Sequence, residues 1–494
     1  MYRYTSQKQL TLDDYIHNLG KRLNSDNRWI RLADQIPWDE FAQIYAKSLS
    51  KNMGRPGKDA RLVIGAIIIK HIKKLPDEEV IPEIQENPYL QYFIGLKEFT
   101  NDNIFDPSLF VTLRKRLGKS GFNALSETFA EDIKKHEEAL QSGEKKTKDD
   151  DSKPGSPTHR GQLIIDAVVA PQDIKFPTDI DLTSKAREET ERLIDFLWER
   201  NPGKRKPRTY RQKARRDYLN VVRKKRKGKN VLRLGRKKQL SYLRRNIRTI
   251  NTMLQPYQET GLPFNARDLK RFYVIQEVYR QQQLMHETGA NSVSDRIVSI
   301  YQPYVRPIVR GKSGRNTEFG SKLSCSLIDG YVWLDHLSWD AFNESGDLIM
   351  QVEKYRERFG FYPVSVHIDK IYGNRVNRKY LKDHGIHFAG KALGRTRQMT
   401  PEEKRNFKKE MGIRSHIEGK FGEGKRKYDL GLIKTKTQVT SESWIASVFF
   451  VMNLAHWLRA DIFMSFLHLR FISFIDQWHF FKDRFITIYN IRTA

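Results

Sequence analysis

The sequence predicts an α+β (or α/β) fold: a mixed sheet with flanking helices, a long basic helical insertion after the first strand, and a helical N-terminal domain. Three observations carry this prediction. Residues 1–140 have helical start and stop signals throughout. Beyond them, short apolar runs alternate with segments of helical periodicity. A dense run of Lys and Arg separates the first apolar run from the others.

Residues 1–140 are expected to form a helical DNA-binding domain. The stretch Pro76 to Glu79 is typical of a helix start, with Pro at the first position and acids in the first turn, and Asp106 to Ser108 repeats that pattern. The short basic helix that follows is predicted to end at Gly118. A basic helix suits DNA binding, although a solvated charged face explains it equally well. Its candidate DNA-binding residues are Arg114 and Arg116.

A linker is predicted at residues 141–160, which are rich in Gly, Ser, Pro, Lys and Asp and contain almost no apolar residue. We place a domain boundary there. A sheet-containing domain is expected over residues 161–432, with its insertion at about 182–310. Residues 433–494 are expected to form a helical segment that packs on its core.

The first strand and a hairpin have clear signals. Leu163 to Val169 is apolar except for Asp166, which is typical of a central strand covered on both faces. Residues 318–327 and 331–337 are strand-like and are separated by a turn containing Asp329 and Gly330, which predicts a hairpin.

Helices and strands then alternate to the end of this domain. They are predicted at 348–359 (helix), 364–368 (strand), 374–384 (helix), 386–388 (strand) and 414–427 (helix). This order is close to that of an RNase H-like sheet interrupted after its first strand, which is a fold-level expectation and does not by itself define a function.

The insertion is unusually basic. Residues 201–250 contain 21 Lys and Arg against one acid, Asp217, a net charge of +20. Apolar residues interleave with these charges, so we expect helices laid along a phosphate backbone and not a disordered tail. Such contacts contribute to DNA-binding affinity but do not select a particular DNA sequence. The candidate DNA-binding residues here are Lys224, Lys225, Arg226 and Lys227.

Composition limits the function classes. The net charge of +30 indicates a polyanionic partner, most commonly nucleic acid, with an anionic membrane surface as the rival. One cysteine, Cys325, excludes an internal disulfide and a multi-cysteine zinc site, and it fits a reducing cytoplasm. The N-terminus lacks the apolar core of a signal peptide. The apolar run Trp444 to Met452 is too short to span a bilayer and predicts a buried helix.

Two aspartates are candidate metal ligands. A carboxylate within an apolar strand, as at Asp166, is unfavourable unless a cation compensates it. Asp369 follows the alternating strand 364–368, at the strand end where open sheets commonly bind ligands. On adjacent strands the two could share divalent ions roughly 3.5–4 Å apart. Oxygen ligands favour Mg²⁺, with Mn²⁺ able to substitute. The alternative is that Asp166 sits at a strand end and pairs with Lys or Arg.

The third candidate is Glu418. Helical periodicity places Arg414, Glu418 and Lys425 on one face, which joins a carboxylate to two cations suited to phosphate. Glu423 is the rival glutamate, about 140° around the helix. An ordinary solvated salt-bridge ladder explains the same spacing, and we favour a site only because of the two strand aspartates.

These residues lie in stretches that resemble the DDE transposases of bacterial insertion sequences, and the resemblance covers nearly the whole chain. The resembling stretches include residues 27–38, 86–93, 318–320, 343–345, 369–372 and 414–422. The resemblance implies that Asp166, Asp369 and Glu418 form the catalytic, metal-binding triad. The family's signature around the glutamate is Tyr, two residues, Arg, three residues, Glu, six residues, Lys. Arg414, Glu418 and Lys425 match it, whereas Met411 replaces the tyrosine.

The resemblance also implies partners and a location. Enzymes of this family recognise terminal inverted repeats and free 3′ ends by hydrolysis, and those ends then attack target DNA. We therefore expect double-stranded DNA as partner, a homodimer on DNA, and a bacterial cytoplasmic protein associated with the nucleoid. Two alternatives stay open: a catalytically inactive or repurposed DNA-binding descendant, and an RNA-binding or ribosome-associated protein.

Overall fold

The computed structural model describes residues 23–49, 57–144, 159–201, 205–257, 259, 261–309, 317–391 and 400–459. Within these ranges, helices pack around one mixed sheet, which confirms the predicted α+β class. A membrane-spanning helix is absent from the same ranges.

Six helices precede the sheet within the described residues, and local capping explains where several of them begin. Asn27 accepts a hydrogen bond from the Trp29 amide and Asp59 accepts one from the Arg61 amide. The starts predicted after Pro76 and after Asp106 to Ser108 are confirmed. The helices are α1 (Arg28–Gln35), α2 (Trp38–Lys47), α3 (Ala60–Lys73), α4 (Asp77–Gln85), α5 (Pro88–Phe93) and α6 (Leu109–Glu144).

Helix α6 departs from the prediction. Gly118, at φ 60° and ψ −170°, interrupts the helix as expected, but the chain resumes helical geometry and continues to Glu144. The linker predicted at 141–160 therefore starts too early, because residues 141–144 are helical. Residues 145–158, which carry most of that prediction, lie outside the described residues.

The sheet is centred on its first strand. Strand β1 runs antiparallel to β3 and parallel to β5, β3 also pairs with β2 and β4, and β6 runs parallel to β5 at the other edge. The predicted hairpin joins β3 to β4 through Asp329 and Gly330, both at positive φ. The strands are β1 (Gln162–Pro171), β2 (Arg306–Val309), β3 (Thr317–Ile328), β4 (Tyr331–Ser338), β5 (Ser365–His367) and β6 (His387–Ala389).

Four α-helices lie between β1 and β2 in the described part of this segment. They carry two hydrophobic clusters of their own, both separate from the cluster around the sheet. The first helix begins at Asp179, because the Thr178 side chain caps it by accepting a hydrogen bond from the Asp181 amide. The helices are α7 (Asp179–Arg200), α8 (Arg211–Val222), α9 (Lys229–Leu254) and α10 (Ala266–Thr288).

The remaining helices follow the hairpin. Those with both ends described are α11 (Leu348–Phe359), α12 (Arg375–Asp383) and α13 (Pro401–Lys427). Residues 438–459 form a further helix, α14, which contains the predicted buried helix Trp444 to Met452. Residues 460–494 lie outside the described residues.

One hydrophobic cluster joins the N-terminal helices, the sheet and α14. The Phe450 ring of α14 lies 5.4 Å from the Phe41 ring and 6.2 Å from the Phe122 ring. Asn453 exchanges two hydrogen bonds with the backbone of Val332 in β4, at 2.8 and 2.9 Å. The sheet that carries the candidate site therefore rests on helices from both ends of the described chain.

Candidate active site

Asp166 lies in the middle of β1, and β1 forms hydrogen bonds with a neighbouring strand on each side. Its backbone pairs with Cys325 of β3 on one side, and β5 runs alongside on the other. Apolar residues flank it in sequence, as a central strand requires, and its side chain is 18% exposed. Its Oδ1 accepts a hydrogen bond from the next amide, that of Ala167, at 2.8 Å. The buried strand thus fixes a half-buried carboxylate.

Asp369 follows the adjacent parallel strand. Ile164 of β1 pairs with His367 of β5, so two further residues along each strand bring Asp166 and Asp369 level with one another. Asp369 is exposed and caps a short 3₁₀ turn, Lys370–Tyr372, by accepting a hydrogen bond from the Lys370 amide at 2.7 Å. The two aspartates therefore come from neighbouring strands, as the sequence predicted.

Helix α13 brings the glutamate to the same place. Arg414 and Glu418 lie one turn apart, with Arg414 Nη2 3.0 Å from Glu418 Oε1. The same guanidinium reaches β1, with Nη1 3.7 Å from Asp166 Oδ2. Arg414 therefore bridges two of the three carboxylates predicted to act together.

A cavity of about 510 Å³ unites these groups. The predicted site residues that line it are Asp166, Asp369, Arg414, Glu418 and Lys425. Three segments far apart in the chain meet there, and α13 presents the face that helical periodicity predicted. The rival Glu423 points elsewhere and forms ion pairs with Lys420, Lys427 and Arg459.

Burial dominates the electrostatics of Asp166. Desolvation raises the pKa of its carboxyl to about 6, against the opposing effects of the Ala167 amide and Arg414. The negative charges of Glu344 and Glu418 raise this pKa further. The positive charge that the protein provides near Asp166 does not offset the cost of burying its negative charge. An added cation would therefore stabilise the ionised carboxylate.

Glu344 and Lys322 also line the cavity, and the sequence analysis did not assign them. Glu344 begins a 3₁₀ turn, Glu344–Gly346, after β4, and Lys322 lies on β3. Their ion pair, at 2.9 Å, joins residues 22 positions apart. Glu344 lies in a polar loop without periodicity, and its resemblance to the family was the only available signal.

The donor chemistry of the cavity fits a divalent cation, since carboxylate oxygens are the ligands that Mg²⁺ and Mn²⁺ prefer. Among the described residues, no three acidic, histidine or cysteine side chains converge closely enough to enclose an ion. Arg414 instead provides positive charge between Asp166 and Glu418. Its Nε is buried and lacks a hydrogen-bond partner within the described part of the chain. The Arg414 guanidinium thus has one N–H donor without an acceptor at the edge of the cavity.

The structure corrects one predicted DNA-binding residue. Arg114 is buried, its guanidinium donates two hydrogen bonds to Asp77 at 2.6 Å, and it lies over the Trp444 ring at 4.9 Å. A charge satisfied this way supports the core and is not available to DNA. Arg116, two residues later, is exposed.

The basic residues of the insertion are at its surface. Lys224, Lys225, Arg226 and Lys227 are exposed in the turn between α8 and α9, so they lie on a loop and not on the expected helix. They are not part of the cavity lining. Any contribution they make to DNA binding is therefore separate from the carboxylates.

Comparisons with known proteins identify two families that match parts of this chain. Residues 366–455 match the family described as Transposase DDE domain, and residues 17–116 match the one described as Transposase domain (DUF772). The chain is 32% identical to "Uncharacterized protein ORF8 in nfe locus" of Rhizobium meliloti over 174 residues, which are 35% of this chain and 76% of that protein. A search of solved structures found no match.

These matches define a transposase. The chain belongs to the DDE transposases of insertion-sequence type, a family that cleaves and transfers DNA and uses divalent metal ions. The DDE-domain match contains Asp369, Arg414, Glu418 and Lys425 but begins after β1. The assignment of Asp166 therefore depends on the cavity.

Proposed function

We propose that this chain is the transposase of a bacterial insertion sequence, and that it binds terminal inverted repeats and cleaves and transfers DNA strands through Asp166, Asp369 and Glu418. One observation carries the proposal: carboxylates from β1, from the end of β5 and from α13 line a single cavity. Ordinary surface acids have no reason to converge on an apolar strand from three separate segments.

The strand arrangement supports an RNase H-like core for this chemistry. In the sheet, β1 lies between β3 and β5, with β2 and β4 beyond β3 and β6 beyond β5. Strands β1, β3 and β4 are antiparallel, whereas β1, β5 and β6 are parallel. We assign residues 161–432 to this catalytic domain, with α7 to α10 as its insertion. Residues 1–140 would form the helical DNA-binding domain.

The proposed cofactor is Mg²⁺, with Mn²⁺ able to replace it, held by Asp166, Asp369 and Glu418. Bound metal would activate the attacking oxygen and stabilise the leaving oxygen. Arg414 lies beside two of these carboxylates, those of Glu418 and Asp166, and its single charge compensates them in part. With the metal bound, Arg414 and Lys425 would present positive charge to the DNA phosphate at the same cavity.

The proposed partner is double-stranded DNA, bound by a homodimer at the nucleoid of the bacterial cytoplasm. The exposed turn of Lys224, Lys225, Arg226 and Lys227 supports a phosphate-binding role for the insertion, as does the exposure of Arg116 on α6.

The test is cleavage of DNA that carries the element's ends, in Mg²⁺. Asp369→Asn should abolish cleavage, because it removes a metal-binding charge from an exposed position whose loss the fold tolerates. Asp383→Asn, at the exposed end of α12, is the matched control and should cleave normally. Full cleavage by Asp369→Asn would refute the proposed triad. DNA binding without cleavage by the unaltered protein would instead indicate an inactive descendant.

A further inference from the structure

The cavity holds a fourth carboxylate, that of Glu344. Its side chain is 18% exposed, compared with 49% for Glu418, so it lies deeper in the protein than the glutamate of the proposed triad. Its charge also acts more strongly than that of Glu418 on Asp166. Glu344 is therefore electrostatically part of the cluster around β1.

The backbone that carries Glu344 is tied to the backbone that carries Asp369. The buried Asn377 side chain donates hydrogen bonds to the Ser345 and Tyr372 carbonyls, both at 2.8 Å. Ser345 follows Glu344 directly, and Tyr372 ends the 3₁₀ turn that Asp369 caps. Because one buried amide group donates to both loops, it holds the two loops in fixed positions relative to each other.

Lys322 balances the extra charge. Its Nζ lies 2.9 Å from Glu344 Oε2 and donates to the Phe342 carbonyl at 2.8 Å. Among the described residues, the cavity lining has three cationic side chains, those of Lys322, Arg414 and Lys425, and four carboxylates. Within this described lining, one negative charge is in excess.

We propose that Glu344 is a fourth carboxylate of the divalent-cation site, and that Lys322 is its counter-ion in the cation-free protein. The inference rests on the proposed function, since it assumes that a cation binds beside Asp166. A bound cation would then draw Glu344 from Lys322. The competing explanation is that Glu344 serves only to fix the loop through Lys322.

Cation binding by the full-length protein without DNA distinguishes the two explanations. Mn²⁺ is titrated calorimetrically into the unaltered protein, Glu344→Gln and Lys322→Gln. Gln at position 344 keeps a hydrogen-bond acceptor for Lys322 but loses the charge, so affinity should fall by about tenfold. Lys322→Gln removes a repelling charge and frees Glu344, so affinity should rise. Loss of the Lys322 charge favours cation binding under either explanation, so the rise is compared in a Glu344→Gln background. A smaller rise there supports Glu344 as a ligand, whereas an equal rise would mean that Lys322 acts by its charge alone and Glu344 only fixes the loop.

Glu423→Gln is the matched control. Glu423 is 16% exposed and ion-paired but lies outside the cavity lining, so this variant should bind Mn²⁺ like the unaltered protein. Unchanged affinity in Glu344→Gln would overturn the inference, and this comparison suffices even if Lys322→Gln does not fold.

Asp369→Asn distinguishes failure of this inference from failure of the proposed function. If Asp369→Asn weakens Mn²⁺ binding while Glu344→Gln does not, only the role of Glu344 fails. If Asp369→Asn binds normally, the proposed metal site itself fails.

Discussion

Burial determines the chemistry of single residues in this cavity. Asp166 could be proposed from sequence because an isolated acid in an apolar run is locally visible. Glu344 could not, because its ion-pair partner Lys322 lies on strand β3, 22 residues earlier in the chain. Arg114 was assigned wrongly for a related reason: its partners, Asp77 and Trp444, come from distant segments, and no local pattern shows that they enclose it.

The raised pKa of Asp166 predicts a pH-dependent stability effect. The native pKa of about 6 exceeds the ordinary value of 3.8, so the native state binds the proton more tightly than the unfolded chain. Stability is therefore lost as pH rises from about 4 to above 6. Asp166→Asn removes this penalty, and without divalent cations it should be more stable than the unaltered protein at pH 8 by about 1–3 kcal/mol.

Urea unfolding in EDTA at pH 4 and pH 8 checks this, since the difference between the two proteins should shrink at the lower pH. Asp383→Asn, which alters an exposed aspartate, should show no such trend. A loss of stability in Asp166→Asn at pH 8 would contradict the expectation. Added Mg²⁺ should stabilise the unaltered protein and not Asp166→Asn.

At the scale of elements, sequence signals located most strands and helix starts but missed strand β2 and the start of α13. Strands β1 and β5 were recognised by their apolar patterns, whereas α13 was predicted only from Arg414. The helix begins at Pro401, where Thr400 and Glu403 form a capping box with Pro at the first position. That signal is local and could be read from the sequence, but the helix was predicted to begin only at Arg414. The basic insertion was predicted from its charge. Which of its basic residues share an exposed helix face could be seen only in the structure.

Helix α9 has one cationic face suited to phosphate. Arg233, Lys237, Arg244 and Arg248 are exposed and fall within about 60° of arc over about 22 Å. None of the four has an acidic partner among the described residues, whereas Lys238 pairs with Asp217. Four free cations along a rigid rod can each displace a counter-ion from DNA.

Replacing these four α9 residues with Gln should weaken binding to all double-stranded DNA alike. Since each phosphate contact contributes about 0.9 to the salt slope, the slope should fall by about 3–4. Fluorescence anisotropy on specific and unrelated duplexes across salt concentrations measures this. Lys238→Gln with Arg280→Gln, two exposed cations paired within the insertion, should have a smaller effect per charge. A loss confined to one sequence would mean that α9 reads bases.

The whole molecule is organised around separate cores. The largest cluster joins the N-terminal helices, the sheet and α14, whereas the insertion helices carry two smaller clusters. Sequence could not show this sharing, because it depends on contacts such as Phe450 with Phe41 across the length of the chain. The predicted boundary near residues 141–160 therefore does not separate the hydrophobic cores.

This organisation predicts two distinguishable responses to core mutations. Phe450→Ala leaves a cavity where three phenylalanine rings meet α14, so it should cost about 3–5 kcal/mol and loosen the N-terminal helices and the sheet together. Phe272→Ala, in an insertion cluster, should loosen mainly α7, α9 and α10. Hydrogen exchange, read separately for the N-terminal helices, the sheet and the insertion, measures both.

Phe272→Ala is also the control for Phe450→Ala, because both remove the same ring from a buried site. If Phe450→Ala accelerated exchange in the sheet while the N-terminal helices kept full protection, the shared core would not act as one cooperative unit. Joint loss of protection would instead mean that the sheet bearing Asp166 and Asp369 depends on the N-terminal helices for its stability. A mutation in those helices would then impair the cavity without touching it.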